Sequence, residues 1–205
     1  AASGGATGGG LDVGSGLEAA RWLSELPPAP EKVSSDEGAA CRVLFVSTGD
    51  EAMIAALRPA FEDLSALDVA TLAILGGRTG DARWYKAVPM EGEDPVTVLR
   101  RVAAAHDIGL APPGPTVLAM EAAGLPVLQL PDLRPGDADL LHDWLLRQVT
   151  EFTVDAARRA DVARAGAAKA RAAILNRSDI AALDHRLAEA FLRAGSSIPN
   201  PLAAS

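Results

Sequence analysis

The chain is poor in the residues that usually announce a chemistry. Cys41 is its single cysteine in 205 residues, which excludes an intrachain disulfide and any cysteine-based zinc site. The three histidines, His106, His142 and His185, lie far apart and share no metal-ligand spacing with one another or with the cysteine. Aromatic residues make up only 4% of the chain, so a core must be built from aliphatic side chains and alanine. No apolar run is long enough to span a bilayer, and the N-terminus lacks the basic and apolar regions of a secretory leader. With the lone thiol, these absences point to the cytoplasm.

Nucleotide motifs are missing too. There is no G-x-x-x-x-G-K-[ST] loop, and no G-x-G-x-x-G follows an apolar run, which argues against a nucleoside triphosphatase or a dinucleotide dehydrogenase. Ser47 lacks the G-x-S-x-G elbow of a nucleophilic serine, and no D-x-D suggests a metal. A net charge of −8 leaves no bulk attraction for a phosphate backbone, so no nucleic-acid partner is expected.

What is present is an α/β pattern. Nearly half the residues, 49%, are apolar, enough for one domain with additional segments. Residues 1–40 are rich in Gly, Ala and Ser early and in Pro later, and read as a flexible linker. Within it Leu17–Leu26 has the pattern of a short helix, which either stays on the tether or docks through Trp22. Because the sequence begins at Ala1 and not Met, it reads as a piece of a longer protein.

The run Arg42–Ser47 is the first strand. Met53, Ile54, Leu57, Phe61 and Leu64 mark an amphipathic helix, which Pro59 is expected to kink or shorten. Val69–Leu75 and Trp84–Pro89 are the next strands, joined by a connection too short and polar for a helix. Asp94 caps and Pro95 opens a helix over Val96–Ala105. Then comes the most informative stretch, Asp107–Pro131: a strand to Ala111, the turn Pro112-Pro113-Gly114, a helix over Pro115–Ala123 closed by Gly124, and a strand Val127–Leu130. Asp137 or Asp139 starts a helix through about Gln148. Helices Val154–Leu175 and Ser178–Ala194 follow, and residues 196–205 read as a disordered tail. The expectation is an α/β fold: a Rossmann-like parallel sheet of about five strands, helices on both faces and a helical C-terminal segment, over residues 41–195.

Ligands of such sheets bind beyond the carboxyl ends of the strands. Two turns there precede helices: Ser47-Thr48-Gly49 and Gly114-Pro115-Thr116. Each could present helix N–H groups to an anion, or could be an ordinary βα turn. Glu121 stands out as a carboxylate inside an otherwise apolar helix, facing either the sheet-end cleft or the surface.

These stretches resemble the C-terminal, nucleotide-sugar-binding half of group-1 type GT-B glycosyltransferases. The resemblance lies in Val43-Leu-Phe-Val-Ser-Thr-Gly-Asp-Glu with Leu57-Arg-Pro-Ala-Phe, in Val69–Gly76, and in Asp107-Ile-Gly-Leu-Ala-Pro with Leu118-Ala-Met-Glu-Ala-Ala-Gly-Leu-Pro-Val. It implies a nucleotide-diphosphate sugar donor, an acceptor domain on the same or another chain, and a sugar transferred to an acceptor. It implies neither a metal nor a cofactor, because protein groups stabilise the leaving diphosphate in this family. Carried onto this chain, Ser47, Thr48 and Gly49 would line the phosphate side, Gly114 and Thr116 the helix N-terminus, and Glu121 the sugar or ribose. Ala119 occupies the place where the family carries a carboxylate, so the donor motif is degenerate and the chain could instead be a non-catalytic interaction or regulatory domain. Arg78 and Lys86 are the basic residues available to a diphosphate.

Overall fold

The computed structural model describes residues 39–47, 51–76, 84–88, 95–132 and 137–173. The chain divides into two compact units, Ala1–Arg171 and Ala172–Ser205; the sheet and the helices that cover it belong to the first. The linker and helix expected over residues 1–38, and the helix and tail expected after residue 173, lie outside the described residues.

Continuous apolar runs become the strands β1 (Cys41–Val46), β2 (Ala70–Leu75), β3 (Tyr85–Val88), β4 (Ile108–Ala111) and β5 (Val127–Gln129). All pair in parallel, in the order β3-β2-β1-β4-β5. Burial explains the runs: β4 is buried at every position, as a central parallel strand covered on both faces requires. Alternate residues feed two cores. Val43, Phe45, Ile74, Ile108 and Leu110 join one, and Leu44, Val46, Leu75 and Ala111 the other.

The first core is covered by α1 (Glu51–Ala66) and α4 (Ala138–Val154), through Leu57, Phe61 and Leu64 and through Leu141, Leu145, Val149 and Phe152. The second is covered by α2 (Pro95–Ala104) and α3 (Pro115–Ala122), through Val98, Leu99 and Val102 and through Val117, Ala119 and Met120. The fold is the expected α/β Rossmann-like sheet with helices on both faces.

Two boundaries differ from expectation. Pro59 does not shorten α1, which runs sixteen residues through it; Pro59 and Ala55, whose carbonyl loses its i+4 donor, both lie on the exposed side, where water can satisfy that carbonyl. α4 does not stop near Gln148 but continues to Val154, because Val149 and Phe152 extend its apolar stripe into the core. The break comes at Asp155, whose backbone leaves the helical region. Its Oδ1 accepts the Arg158 N–H at 2.8 Å, capping the next helical run, residues 156–173. Arg159 donates to the last-turn carbonyls of α4, Phe152 and Thr153.

A brace closes the amino ends of the two central strands. Asp107 Oδ2 accepts the Arg42 backbone N–H at 2.9 Å and Nε at 3.2 Å, while Oδ1 accepts Nη2 at 3.3 Å. The Asp107 N–H in turn donates to the Arg42 carbonyl at 2.8 Å. The neighbouring carboxylate raises the Arg42 pKa further, chiefly through this hydrogen bonding.

Candidate functional site

Strand order reverses between β1 and β4, since β1 leads outward to β2 while β4 leads the other way to β5. Ligands of open α/β sheets bind at such a reversal, outside the carboxyl ends. Phe45 pairs with Leu110, so Ser47 and Pro112, each two residues further on, leave the sheet side by side. The structure thereby brings Ser47 together with the turn that opens α3. Ser47 is buried, at 6% exposure, and its N–H donates to the Leu75 carbonyl at 3.0 Å. Thr48 and Gly49 lie outside the described residues.

The entry to α3 depends on Gly114, whose φ of 151° is a conformation open to glycine and strained for other residues. Pro115 occupies the first helical position and brings no N–H. The Val117 N–H is drawn back to the Gly114 carbonyl at 3.2 Å. The half-buried Thr116 therefore presents both a backbone N–H without an intrahelical acceptor and a hydroxyl at this end. Such a helix end favours an anion. Neither Ser47 nor Pro112–Thr116 contributes a Lys or Arg; the polar groups at this end are hydroxyls and backbone N–H groups.

The far end of α3 is closed by a Schellman arrangement. Gly124, at φ 85°, lets its N–H reach the Glu121 carbonyl at 3.0 Å and the Leu125 N–H reach the Met120 carbonyl at 3.1 Å. Gly109 makes room beneath: a Cβ there would lie 3.1 Å from Met120 Sδ, so β4 and α3 approach more closely than a side chain would allow. Ala119 is turned into the second core at 4% exposure.

Glu121 faces neither the sheet-end cleft nor open solvent. It is 9% exposed, almost two turns along α3 from the Gly114 turn, and covered by the helical run 156–173. A Cβ on Gly166 would come within 3.0 Å of Glu121 Cγ. Its Oε1 accepts from Lys169 Nζ at 3.4 Å, while Oε2 is buried with no hydrogen-bond partner among the described residues. The structure does not bring Glu121 to the turn that holds Thr116. The covering helix was legible only as an Ala-rich pattern, and Gly166 within it was the one residue hinting at a close approach.

Lys86 lies elsewhere as well. It lines a cleft of about 660 Å3 over β2 and β3 that shares no residue with Ser47 or Pro112–Thr116. Arg78 lies outside the described residues. The only thiol, Cys41, is buried in β1, and burial pushes its pKa up, which disfavours the nucleophilic thiolate. Among the described residues no group of three or more His, Cys, Asp or Glu side chains could hold a metal ion.

The described residues form an α/β Rossmann-like fold, a parallel sheet with helices on both faces. A solved structure with that fold is the pneumococcal O-GlcNAc transferase GtfA, in complex with UDP and GlcNAc, at TM-score 0.51 and 13% sequence identity. The match covers 77% of this chain and 38% of that one, so the chain spans well under half the length of the enzyme it resembles. No protein-family model and no curated protein matches the sequence. Among the described residues no helix is long and apolar enough to cross a membrane.

Proposed function

We propose that this chain is the donor-binding half of a glycosyltransferase and holds a nucleotide-diphosphate sugar at the reversal between β1 and β4. One observation carries the reading: Ser47 and the amino end of α3 leave adjacent parallel strands at the point where strand order reverses. Ser47, Thr48 and Gly49 would line the phosphates from one side, with Gly114 and Thr116 on the other. The fold shared with an enzyme solved with UDP and GlcNAc supports this. Glu121, sequestered under the helical run, would not touch the sugar. Transfer requires an acceptor-binding domain supplied by the same or another chain.

The competing reading is a non-catalytic interaction domain. It is favoured by Ala119, buried where the resembling family carries a carboxylate, and by the lack of Lys or Arg at Ser47 and Pro112–Thr116.

Thermal unfolding with UDP-, GDP- and ADP-sugars at millimolar concentration separates the two. A binding-competent domain gains melting temperature by mass action. Thr116→Asp places a carboxylate at the second helical position, where it favours the helix dipole but repels a diphosphate. The expected result is an unliganded melting temperature equal to or above wild type and loss of the donor-induced shift. A chain that no donor shifts is the non-catalytic domain.

A further inference from the structure

The helical run 156–173 joins the layers on the two faces of the sheet. Asp155 links it to α4, which covers the first core, and its Val162 is packed against that core. Its Gly166 lies over Glu121 of α3, the helix that covers the second core. The stripe that makes this connection is Val162, Gly166 and Ala170, spaced four residues apart on one helix face. Gly166 and Ala170 are buried and Val162 is half-buried, the one apolar side chain in the run larger than alanine. Helix α4, by contrast, buries Leu141, Leu145, Val149 and Phe152. Adhesion scales with the apolar area removed from water, so the run is held far less firmly than α4.

The run is also fastened unevenly along its length. Its base is tied to α4: Arg158 Nη1 donates to Glu151 Oε2 at 3.2 Å, the Arg158 guanidinium lies 5.0 Å from the centre of the Phe152 ring, and Arg159 donates to the Phe152 and Thr153 carbonyls. Beyond Arg159, one polar tie among the described residues reaches another element, from Lys169 Nζ to Glu121 Oε1 at 3.4 Å. That tie ends on a carboxylate whose needs are not met. Oε2 is buried with no hydrogen-bond partner among the described residues, and Glu121 stands in the last turn of α3, where the helix dipole disfavours a negative charge. Water would satisfy both oxygens once the run lifted, so burial of this group opposes the docked position.

We infer that residues 160–173 are a releasable strap, which lifts off α3 and redocks while the sheet stays folded and the base at Arg158 and Arg159 stays tied to α4. Lifting bares the Glu121 carboxylate and the last turn of α3, at the opposite end of that helix from Gly114. The device does not depend on a ligand at Ser47 and Thr116.

The test is native-state hydrogen exchange on the whole chain. A helix of this length without packing partners is marginal in water, so the amides of residues 163–173 exchange whenever the strap lifts. Their protection should be about tenfold or more below that of the β1 and β4 amides. It should also depend little on denaturant, because lifting exposes little surface. A covalent lock supplies the second arm. A Cβ on Gly166 would stand 3.4 Å from Glu121 Cβ, close to the roughly 3.5–4.5 Å of a disulfide. In the double variant Glu121→Cys, Gly166→Cys, mild oxidation should close the bond and raise strap protection by about tenfold or more over the reduced form. The native thiol of Cys41 is buried in β1 and takes no part. Glu121→Met, which removes the unpartnered acceptor, should raise strap protection about fivefold. The inference is overturned if strap amides exchange together with those of β1 and β4 and with the same denaturant dependence, a result that wild type alone can give. It is equally overturned if the two cysteines do not join, or if joining them leaves strap protection unchanged. Protection unchanged or lowered in Glu121→Met would refute the part assigned to the carboxylate.

Discussion

Replacing Glu121 with methionine should stabilise this protein, although Glu121 is the buried end of its contact with Lys169. The carboxylate is buried and Oε2 has no partner among the described residues; an orphaned buried acceptor costs about 1–3 kcal/mol. Against that stands the Lys169 contact, long at 3.4 Å and made by a lysine whose side chain is 60% exposed. Such a solvent-screened pair returns roughly 0.2–1 kcal/mol. The balance favours removing the charge by about 1 kcal/mol, since an apolar chain of similar length keeps the contact with Gly166. In a chain of this size that raises the melting temperature by roughly 2–4 °C. Urea unfolding should show the same gain with unchanged slope, so that the native state and not the denatured one has altered. Lys169→Met should do the reverse, because it strips the carboxylate of its one partner. If Glu121→Met and Lys169→Met lose stability equally, the pair is a net stabiliser and the reasoning about Oε2 is wrong.

The remaining contacts make their own predictions. Asp107→Ala should cost about 1–2 kcal/mol, because it removes acceptors of both backbone and side-chain donors; a double-mutant cycle with Arg42→Ala should show coupling, reduced by the 43% exposure of the Arg42 side chain. His142 donates to Asp63 at 2.9 Å and to Asp143 at 3.3 Å, and these hydrogen bonds raise its pKa. The bridge between α1 and α4 therefore contributes fully below about pH 6.5 and is lost as pH rises through the elevated folded value. Its size is well under about 1 kcal/mol for so exposed a pair, and Asp63→Asn should flatten that part of the pH–stability curve. Gly166→Ala should destabilise despite the helix propensity of alanine, because the new Cβ comes 3.0 Å from the Cγ of the buried Glu121. In a Glu121→Ala background the same change should become stabilising by about 1 kcal/mol, and an unchanged sign would show that the helical run packs elsewhere.

Much of the architecture can be read locally. The runs Val43–Val46, Leu72–Leu75 and Ile108–Ala111 are apolar without alternation, and only a sheet covered on both faces accepts them. Gly124 ends α3 because the positive φ of a Schellman turn favours glycine, and Pro115 opens the same helix because its missing N–H costs nothing there. Helix length was less legible: the stripe carrying α4 to Phe152 gains its meaning from the core it faces, and Pro59 breaks α1 only if its freed carbonyl is buried.

The sequence by itself determined that this is a parallel α/β sheet with a glycine turn opening a short buried helix, because those choices rest on backbone conformation and on apolar spacing within a few residues. Only the tertiary structure decided the rest: the strand order that sets Ser47 beside Pro112, the brace between Arg42 and Asp107 across 65 residues, and Glu121 meeting Lys169 across 48. No local propensity encodes such contacts, because each depends on which distant element covers a face. That is why the turn at Gly114 was visible from the sequence, while the partner of Glu121 and the place of Lys86 were not.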